Sequence, residues 1–198
     1  MDQVAYFLAL IVYLLMPPAY LYWLIVHPCI GFWRRLGVNK SYALLWSLIL
    51  GMAVVLFLFR HQVLAVHYPV SHGHAATGVM LLFVGIVLRY QMERELPKMG
   101  LIGLPEMQGD SDPQTLATGG IYGHIRHPRY FQGILLLLGF ALITNYLAIY
   151  IILLVYIPVI FLVIRLEERE LVQRYGDLYR EYQRRVPMLF PHLGKLQK

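Results

Sequence analysis

Long apolar runs separated by short polar connections dominate the pattern of the chain. A helix of about 20 apolar residues crosses the ~30 Å hydrocarbon layer of a bilayer, and five runs reach or approach that length. The predicted spans are roughly 4–26, 42–59, 73–90, 129–144 and 147–165. The fourth run is short and Asn145 follows it at once, which predicts a tight helical hairpin with the fifth. The pattern therefore predicts an all-α integral membrane protein with about five transmembrane helices.

The polar stretches predict two further elements. Residues 97–120 are rich in Gly, Pro and Asp, which predicts a loop. From 165 to 186, apolar and aromatic residues recur at helical spacing with arginines on the other side, which predicts an amphipathic C-terminal helix. Within the spans, Pro17, Pro18 and Pro158 lack a backbone donor, so we expect kinks or breaks unless neighbours satisfy the freed carbonyls. Such a kink serves packing or opens a lateral path for a lipid substrate.

The basic residues are distributed very unevenly between the predicted connections. Of 17 lysines and arginines, 16 lie in the segments 27–41 and 89–129 and in the tail from 165, and only Arg60 lies on the other side. Basic residues favour the cytoplasmic side of a membrane protein. We therefore expect the N-terminus outside and the C-terminus in the cytoplasm. The net charge of +6 is then a topology signal, and no nucleic-acid partner is expected.

Composition supports a membrane protein and excludes several kinds of site. The chain is 59% hydrophobic and 14% charged, whereas soluble domains carry about 25% charged residues. The single cysteine, Cys29, excludes an intrachain disulfide and a multi-cysteine metal site. His72 and His74 are predicted to lie across the membrane from His124 and His127, and no metal is expected. The chain has neither a Gly-rich dinucleotide-binding motif nor a nucleotide phosphate-binding loop.

The predicted hairpin brings two distant charged segments to one depth in the membrane. His127 lies 18 residues before Asn145 and Glu167 lies 22 after it, which is about 27 and 33 Å along helices that rise 1.5 Å per residue. The two positions therefore meet at the cytoplasmic boundary. The residues expected there are Arg126, His127, Pro128 and Tyr130 on one side and Arg165, Glu167 and Glu168 on the other.

These charges are suited to a ligand with both signs of charge. Pro128 fits the first turn of a helix, whose free N–H groups and positive dipole end, with Arg126 and His127, attract a carboxylate or phosphate. Glu167 and Glu168 attract a cation instead. A zwitterion or a sulfonium compound with a carboxylate matches this pair. The alternative is that the charges snorkel and pair at the interface, with the nearby tyrosines in an interfacial belt.

Two motifs carry a resemblance to a known family. Residues 120–133 read GIYGHIRHPRYFQG, and residues 167–187 begin with Glu167-Glu168 and continue with tyrosines at 175, 179 and 182. They resemble the G-x-Y-x-x-x-R-H-P-x-Y-x-x-G signature and the acidic partner motif of integral-membrane methyltransferases of the isoprenylcysteine carboxyl methyltransferase and phospholipid methyltransferase group. The resemblance covers roughly residues 118–191.

The resemblance implies S-adenosylmethionine as methyl donor, held on the cytoplasmic side, and a lipophilic or lipidated acceptor that arrives from the bilayer. Residues 1–90 are then expected to form the acceptor side and residues 91–198 the cofactor site. The implied cofactor-binding residues are Tyr122, His124, His127, Pro128, Tyr130, Glu167, Glu168, Tyr179 and Tyr182. The implied catalytic residues are Arg126 or Arg165, which would orient the acceptor, and Glu168.

The identity of the acceptor divides the interpretations. The favoured one is the carboxylate of a prenylcysteine-like substrate, which needs no base near neutral pH and which an arginine can bind bidentately. An amine or a small thiol needs a base, for which Glu168 or His127 is the candidate. Residues 96–100 depart from the pattern of many relatives, so these acceptors stay open. Other interpretations are an NADPH-dependent membrane sterol-type reductase, although such enzymes are normally longer, and an adaptor whose basic tail binds anionic lipid.

Overall fold

The computed structural model describes residues 2–26, 28–95 and 116–190. Within them the chain is helical, in agreement with the predicted all-α class. The helices are α1 (Asp2–Val26), α2 (Ile30–Leu36), α3 (Val38–Leu58), α4 (Arg60–Val63), α5 (His72–Glu95), α6 (Pro128–Thr144), α7 (Leu147–Tyr175) and α8 (Asp177–Arg185), with a 3₁₀ turn at Gly120–Gly123. Most of the predicted loop at 97–120 and the divergent residues 96–100 lie outside the described residues.

The helices have the lengths and surfaces of an integral membrane protein. Among the described residues, α1, α3, α5 and α7 are each long and apolar enough to cross a bilayer. The predicted fourth span is α6, whose 17 apolar-rich residues extend about 26 Å at 1.5 Å per residue. On α3, the side chains of Trp46, Leu50, Val54 and Leu58 are exposed at a spacing of four residues. They form one apolar stripe along the helix, which is suited to contact with lipid.

The central helix α6 packs closely against α5 because glycines line their contact. A Cβ added at Gly78 would lie 2.8 Å from the carbonyl oxygen of Gly139, and one at Gly139 would lie 2.9 Å from that of Gly78. Small residues of this kind let transmembrane helices approach closely. About two helical turns from this glycine contact, the buried Gln132 Nε2 donates to the carbonyl of Gly85 at 2.8 Å. These contacts fix α6 against the bundle.

The predicted hairpin between the last two spans is confirmed. Asn145 adopts the left-handed conformation, with φ 53° and ψ 35°, which asparagine tolerates better than most residues. Its Nδ2 donates to the carbonyl of Pro69 at 2.9 Å, and its Oδ1 accepts from Tyr150 Oη at 2.9 Å. The turn therefore holds α6 and α7 antiparallel and is tied to the connection before α5.

The structure bears on two further predictions about the helices. Pro17 and Pro18 lie inside α1 and Pro158 lies inside α7, so none of the three breaks its helix, and a kink at these positions stays a prediction. The predicted amphipathic helix at 165–186 is wrong in its boundary, because its first part continues α7 and only α8 is a separate helix. The break lies at Gly176, whose φ of +59° and ψ of −129° few residues other than glycine adopt. Helical periodicity continues through both parts and does not reveal the boundary.

Candidate active site

The segment that leads into α6 is shaped by a glycine beneath the end of α5. Gly120 has a φ of +51°, and a Cβ there would collide with Glu95 Oε1. The backbone conformation and the available space therefore both require glycine. After the 3₁₀ turn, His127 is the N-cap position of α6 and Pro128 is the first residue of the helix, the position that proline favours. This geometry directs Arg126 and His127 toward α7.

Glu168 on α7 is the centre of a hydrogen-bonded cluster. Its Oε1 accepts from Arg126 Nε at 2.8 Å and lies 3.1 Å from His127 Nε2. Its Oε2 accepts from Gln183 Nε2 of α8 at 3.0 Å, and Tyr179 Oη donates to Oε1 at 3.4 Å. We call these five residues the Glu168 cluster. The predicted meeting of the start of α6 with the acidic part of α7 is confirmed.

The neighbouring Glu167 contacts the other side of the histidine ring. Tyr130 Oη donates to Glu167 Oε2 at 2.8 Å, and His127 Nδ1 lies 3.6 Å from the same oxygen. Arg129 is 3.9 Å from Glu167 Oε1 and also donates to Tyr130 Oη at 3.3 Å. Since its two ring nitrogens face the two glutamates, the buried His127 joins the Glu168 cluster to the Tyr130–Glu167 pair.

Arg126 makes its hydrogen bonds to other groups of the protein through both its side chain and its backbone. Besides Glu168, its guanidinium donates to the carbonyls of Gln183 and Val186. Its backbone N–H donates to the carbonyl of Pro187 at 2.9 Å, and the N–H of His127 donates to that of Met188 at 3.0 Å. The chain after α8 therefore runs back along the start of α6 and holds it in place.

Buried tyrosines complete the packing around the cluster. Tyr182 Oη donates to the carbonyl of Tyr122 at 2.6 Å, and Tyr179 is 1% exposed. Burial raises the pKa of Tyr122 to about 12. Burial also raises the pKa of Tyr179 and of Tyr182 above the ordinary value. All three hydroxyls therefore remain protonated near neutral pH and available as donors.

Two further predicted site residues, Arg165 and His124, each line a cleft. Arg165 is exposed on α7 and lines a cleft of about 400 Å³ that adjoins Glu168; we call it the α7 cleft. His124 is exposed and lines a different cleft of about 540 Å³ at the end of α5; we call it the α5 cleft. The α7 cleft is lined by Arg165, Glu168, Arg169, Val172, Gln173 and Gln183. The α5 cleft is lined by Gln91, Arg94, Glu95, Gly120, Ile121 and His124.

Two polar residues of the site, Arg129 and Gln183, are not among the residues predicted from the sequence. Arg129 contributes to the charge pattern of the chain, and its guanidinium lies 4.6 Å from the ring centre of Trp23 on α1 and contacts the Tyr130–Glu167 pair. Gln183 follows Tyr179 by four residues, and that helical spacing is the one signal that places both on the same face of α8.

A small apolar pocket lies beside the Tyr130–Glu167 pair. It has a volume of about 140 Å³ and lies between α1, α6 and α7. Arg129 and Tyr130 are among the polar residues that line it. We call it the α1 pocket. Within residues 2–26, 28–95 and 116–190, no group of three or more His, Cys, Asp and Glu side chains is arranged to hold a metal ion.

Comparison with known proteins relates this site to a family. A family model described as phospholipid methyltransferase matches residues 74–178. Methanethiol S-methyltransferase 1 of Bradyrhizobium diazoefficiens is 32% identical over 123 residues, which are 59% of this chain and 42% of that protein. Methanethiol S-methyltransferase of Crocosphaera subtropica is 36% identical over 84 residues, which are 42% of this chain and 32% of that protein.

The chain thus spans less than half the length of either of these curated relatives. No solved structure matches it significantly. The family match covers more than half of the chain, and it includes the start of α6 and the acidic part of α7. The chain is therefore a member of the phospholipid methyltransferase family.

Proposed function

We propose that this membrane protein transfers a methyl group from S-adenosylmethionine to a small thiol. The observation that carries the proposal is the position of His127 between Glu167 and Glu168, with the α7 cleft on the Glu168 side. Glu168 faces the polar cleft, whereas Glu167 faces the apolar α1 pocket through Tyr130. Because different residues line the two sites, the proposed reaction requires the methyl-bearing end of the bound donor to pass from Glu168 toward Tyr130 to meet the acceptor.

The chemistry of the α7 cleft fits the proposed methyl donor. S-adenosylmethionine has a carboxylate, a positive ammonium group, a positive sulfur and a hydrogen-bonding adenosine. The cleft offers Arg165 and Arg169 for the carboxylate, Glu168 for a positive group, and the amides of Gln173 and Gln183 for the adenosine. Its volume of about 400 Å³ lies in the ~300–1,000 Å³ range of small-molecule sites. When bound, the donor supplies a methyl group on a positively charged sulfur.

The surrounding residues hold this site in one geometry. Methyl transfer is an in-line displacement, so its rate depends on orientation and on exclusion of water more than on strong acid–base groups. Because the guanidinium of Arg126 binds Glu168 and two backbone carbonyls, we assign it the positioning of Glu168 rather than of the acceptor. Of the three proposed catalytic residues, this leaves Arg165 and Glu168 facing the cleft.

A thiol acceptor requires a route for its proton. The unperturbed pKa of a cysteine-like thiol is about 8.5, so the thiol must be deprotonated to react quickly near neutral pH. Tyr130 Oη lines the α1 pocket and donates to Glu167 Oε2. It can pass its own proton to Glu167 while it accepts the proton of the thiol. Glu167 thereby takes the role of base that the sequence assigned to Glu168 or His127.

The names of the two relatives favour a thiol over the other acceptors. Both are methanethiol S-methyltransferases. The prenylcysteine carboxylate predicted from the sequence is the second candidate, and for it the Tyr130–Glu167 pair has no proton to accept. In the proposed arrangement, residues within 116–190 bind the donor at the cytoplasmic face. Helix α1, which belongs to residues 1–90, completes the acceptor side.

The proposal is tested with purified full-length protein in detergent or liposomes. We expect S-adenosylhomocysteine to raise the melting temperature and NADPH to leave it unchanged, because only a ligand of the folded state stabilises it. We also expect labelled methyl from S-adenosylmethionine to appear on ethanethiol in a base-stable product. A shift with NADPH alone contradicts methyl transfer, whereas a base-labile product on a prenylcysteine would identify the carboxylate as the acceptor.

A further inference from the structure

The α1 pocket has one wall that comes from a single face of α1. Met16, Ala19, Tyr20 and Trp23 line it, and their spacing of three and four residues puts them on the same side of a helix. The facing walls come from α6 and α7 and are largely aliphatic and aromatic. The polar end is formed by Arg129 and Tyr130, which contact Glu167. The pocket thus joins an apolar chamber to the proposed base.

One hydroxyl in this pocket has no hydrogen-bond partner among the residues that the structure describes. It is the buried Tyr20 Oη, and the residue lines the pocket. Its ring stacks on Tyr156, with ring centres 4.8 Å apart and an interplanar angle of 22°. Buried hydroxyls in native structures nearly always have a hydrogen-bond partner, because leaving one unmade costs stability. A ligand that accepts a hydrogen bond from this hydroxyl would explain why the protein keeps it despite the loss of stability.

The stacked neighbour Tyr156 is in a different situation. Its Oη points to the carbonyl of Tyr130 at 3.5 Å, a long but directed contact. A Cβ at Gly133 would collide with this hydroxyl, so the glycine lets Tyr156 lie against α6. Tyr156 is thus fixed by the protein, whereas Tyr20 Oη remains available to a bound molecule.

We infer that the α1 pocket binds the methyl acceptor and that Tyr20 Oη donates a hydrogen bond to its sulfur. The inference rests on the proposed function and specifies its substrate class. The pocket volume of about 140 Å³ is close to the ~150 Å³ cavity that accepts benzene, so it admits a thiol with a few carbons. A prenyl chain is far larger than this volume. The hydrogen bond strengthens as the sulfur becomes a thiolate, because charged acceptors form the stronger bonds.

The first test removes the hydroxyl. We expect Tyr20→Phe to raise the KM for ethanethiol about threefold to tenfold, which is the effect of one hydrogen bond, with an unchanged Kd for S-adenosylhomocysteine. The melting temperature should stay the same or rise, because an unpartnered hydroxyl is removed. The matched control is Tyr150→Phe, which loses the bond to Asn145. It should lower the melting temperature and leave the KM unchanged.

The second test enlarges the pocket. Met16 lines it from α1, and we expect Met16→Ala to raise the kcat/KM ratio of hexanethiol to ethanethiol about tenfold, since each buried methylene contributes roughly a factor of four. An unchanged ethanethiol KM in Tyr20→Phe together with an unchanged ratio in Met16→Ala overturns this inference alone. If the wild-type protein binds no S-adenosylhomocysteine and methylates neither thiol, the proposed function fails and the inference fails with it.

Discussion

The two ends of the α6–α7 hairpin are both tied to distant parts of the chain, but by different chemistry. At the turn, Asn145 and Tyr150 use neutral hydrogen bonds, and His67 stacks on Tyr146. At the opposite end, the contacts centre on the carboxylate of Glu168, which Arg126 and His127 both contact. The neutral end shows that fixing the hairpin does not require charge.

The charged end therefore calls for another explanation. Burying an ion pair removes two charges from water, and this desolvation often cancels the gain from their attraction. The side chains of Arg126 and Glu168 are only 10% and 15% exposed, so most of that cost applies. We propose that the charges are retained for ligand chemistry and that the neutral end provides rigidity. The predictions below separate these two roles.

The largest effect is expected from Glu168→Gln. The substitution leaves Arg126 and His127 without their shared carboxylate, and removing one partner of a buried pair costs about 3–5 kcal/mol. Allowing for partial exposure, we expect the free energy of unfolding to fall by about 2–3 kcal/mol. We also expect S-adenosylhomocysteine binding to weaken by roughly 30- to 100-fold. Calorimetry and thermal melting measure both quantities.

The control for this variant is Glu181→Gln on α8. Its pair with Arg185 is 3.7 Å long, and both side chains are at least 60% exposed, so its loss should change neither quantity measurably. Equal effects of the two substitutions would show that the Glu168 cluster has no special role.

A smaller loss, confined to turnover, is expected from Glu167→Gln. Without the proposed base, kcat for ethanethiol should fall about 10²-fold, while the Kd for S-adenosylhomocysteine stays within about twofold. The residual rate should rise with pH up to the pKa of the thiol, because the variant depends on thiolate formed in solution. Benzenethiol, which is more acidic, should be affected less. An equal loss with both thiols at every pH contradicts a proton-accepting role.

At the neutral end, Asn145→Ala should affect stability and leave binding unchanged. Alanine is disfavoured in the left-handed conformation, and the bonds to Pro69 and Tyr150 are lost. We expect the free energy of unfolding to fall by about 2 kcal/mol. For a chain of this size, this corresponds to a melting temperature about 4–8 °C lower. A comparable loss of S-adenosylhomocysteine affinity would mean that the two ends are coupled rather than separate.

The smallest perturbation tests orientation. The single cysteine, Cys29, is exposed and precedes α2, in the connection predicted to be cytoplasmic. A membrane-impermeant maleimide should therefore label inside-out vesicles and spare right-side-out vesicles, without loss of activity. The reverse pattern would place the Glu168 cluster on the other side of the membrane.

Much of this architecture could be predicted because helix geometry is regular. The hydrophobic runs located the long helices, and the rise per residue on either side of Asn145 brought His127 to the level of Glu167. The contacts of α8 were not predictable in the same way. The break at Gly176 depends on one residue's backbone conformation, and hydrophobic periodicity carries no sign of it.

The pairing of charges was also beyond the sequence pattern. Spacing placed Arg126 near Glu168, but whether the two bind each other or a ligand depends on side-chain directions that spacing does not specify. Similarly, Tyr20 resembles any tyrosine near the end of a span, and only its buried, unpartnered hydroxyl distinguishes it from an interfacial residue.

The central claim is that the methyl donor binds in the α7 cleft beside Glu168. Ultraviolet cross-linking of labelled S-adenosylmethionine to the full chain, followed by peptide mapping, tests it directly. The account predicts label on residues 165–173 or on Gln183, and its loss in Glu168→Gln. Label on residues 91–95 or on His124, which line the α5 cleft, would contradict it.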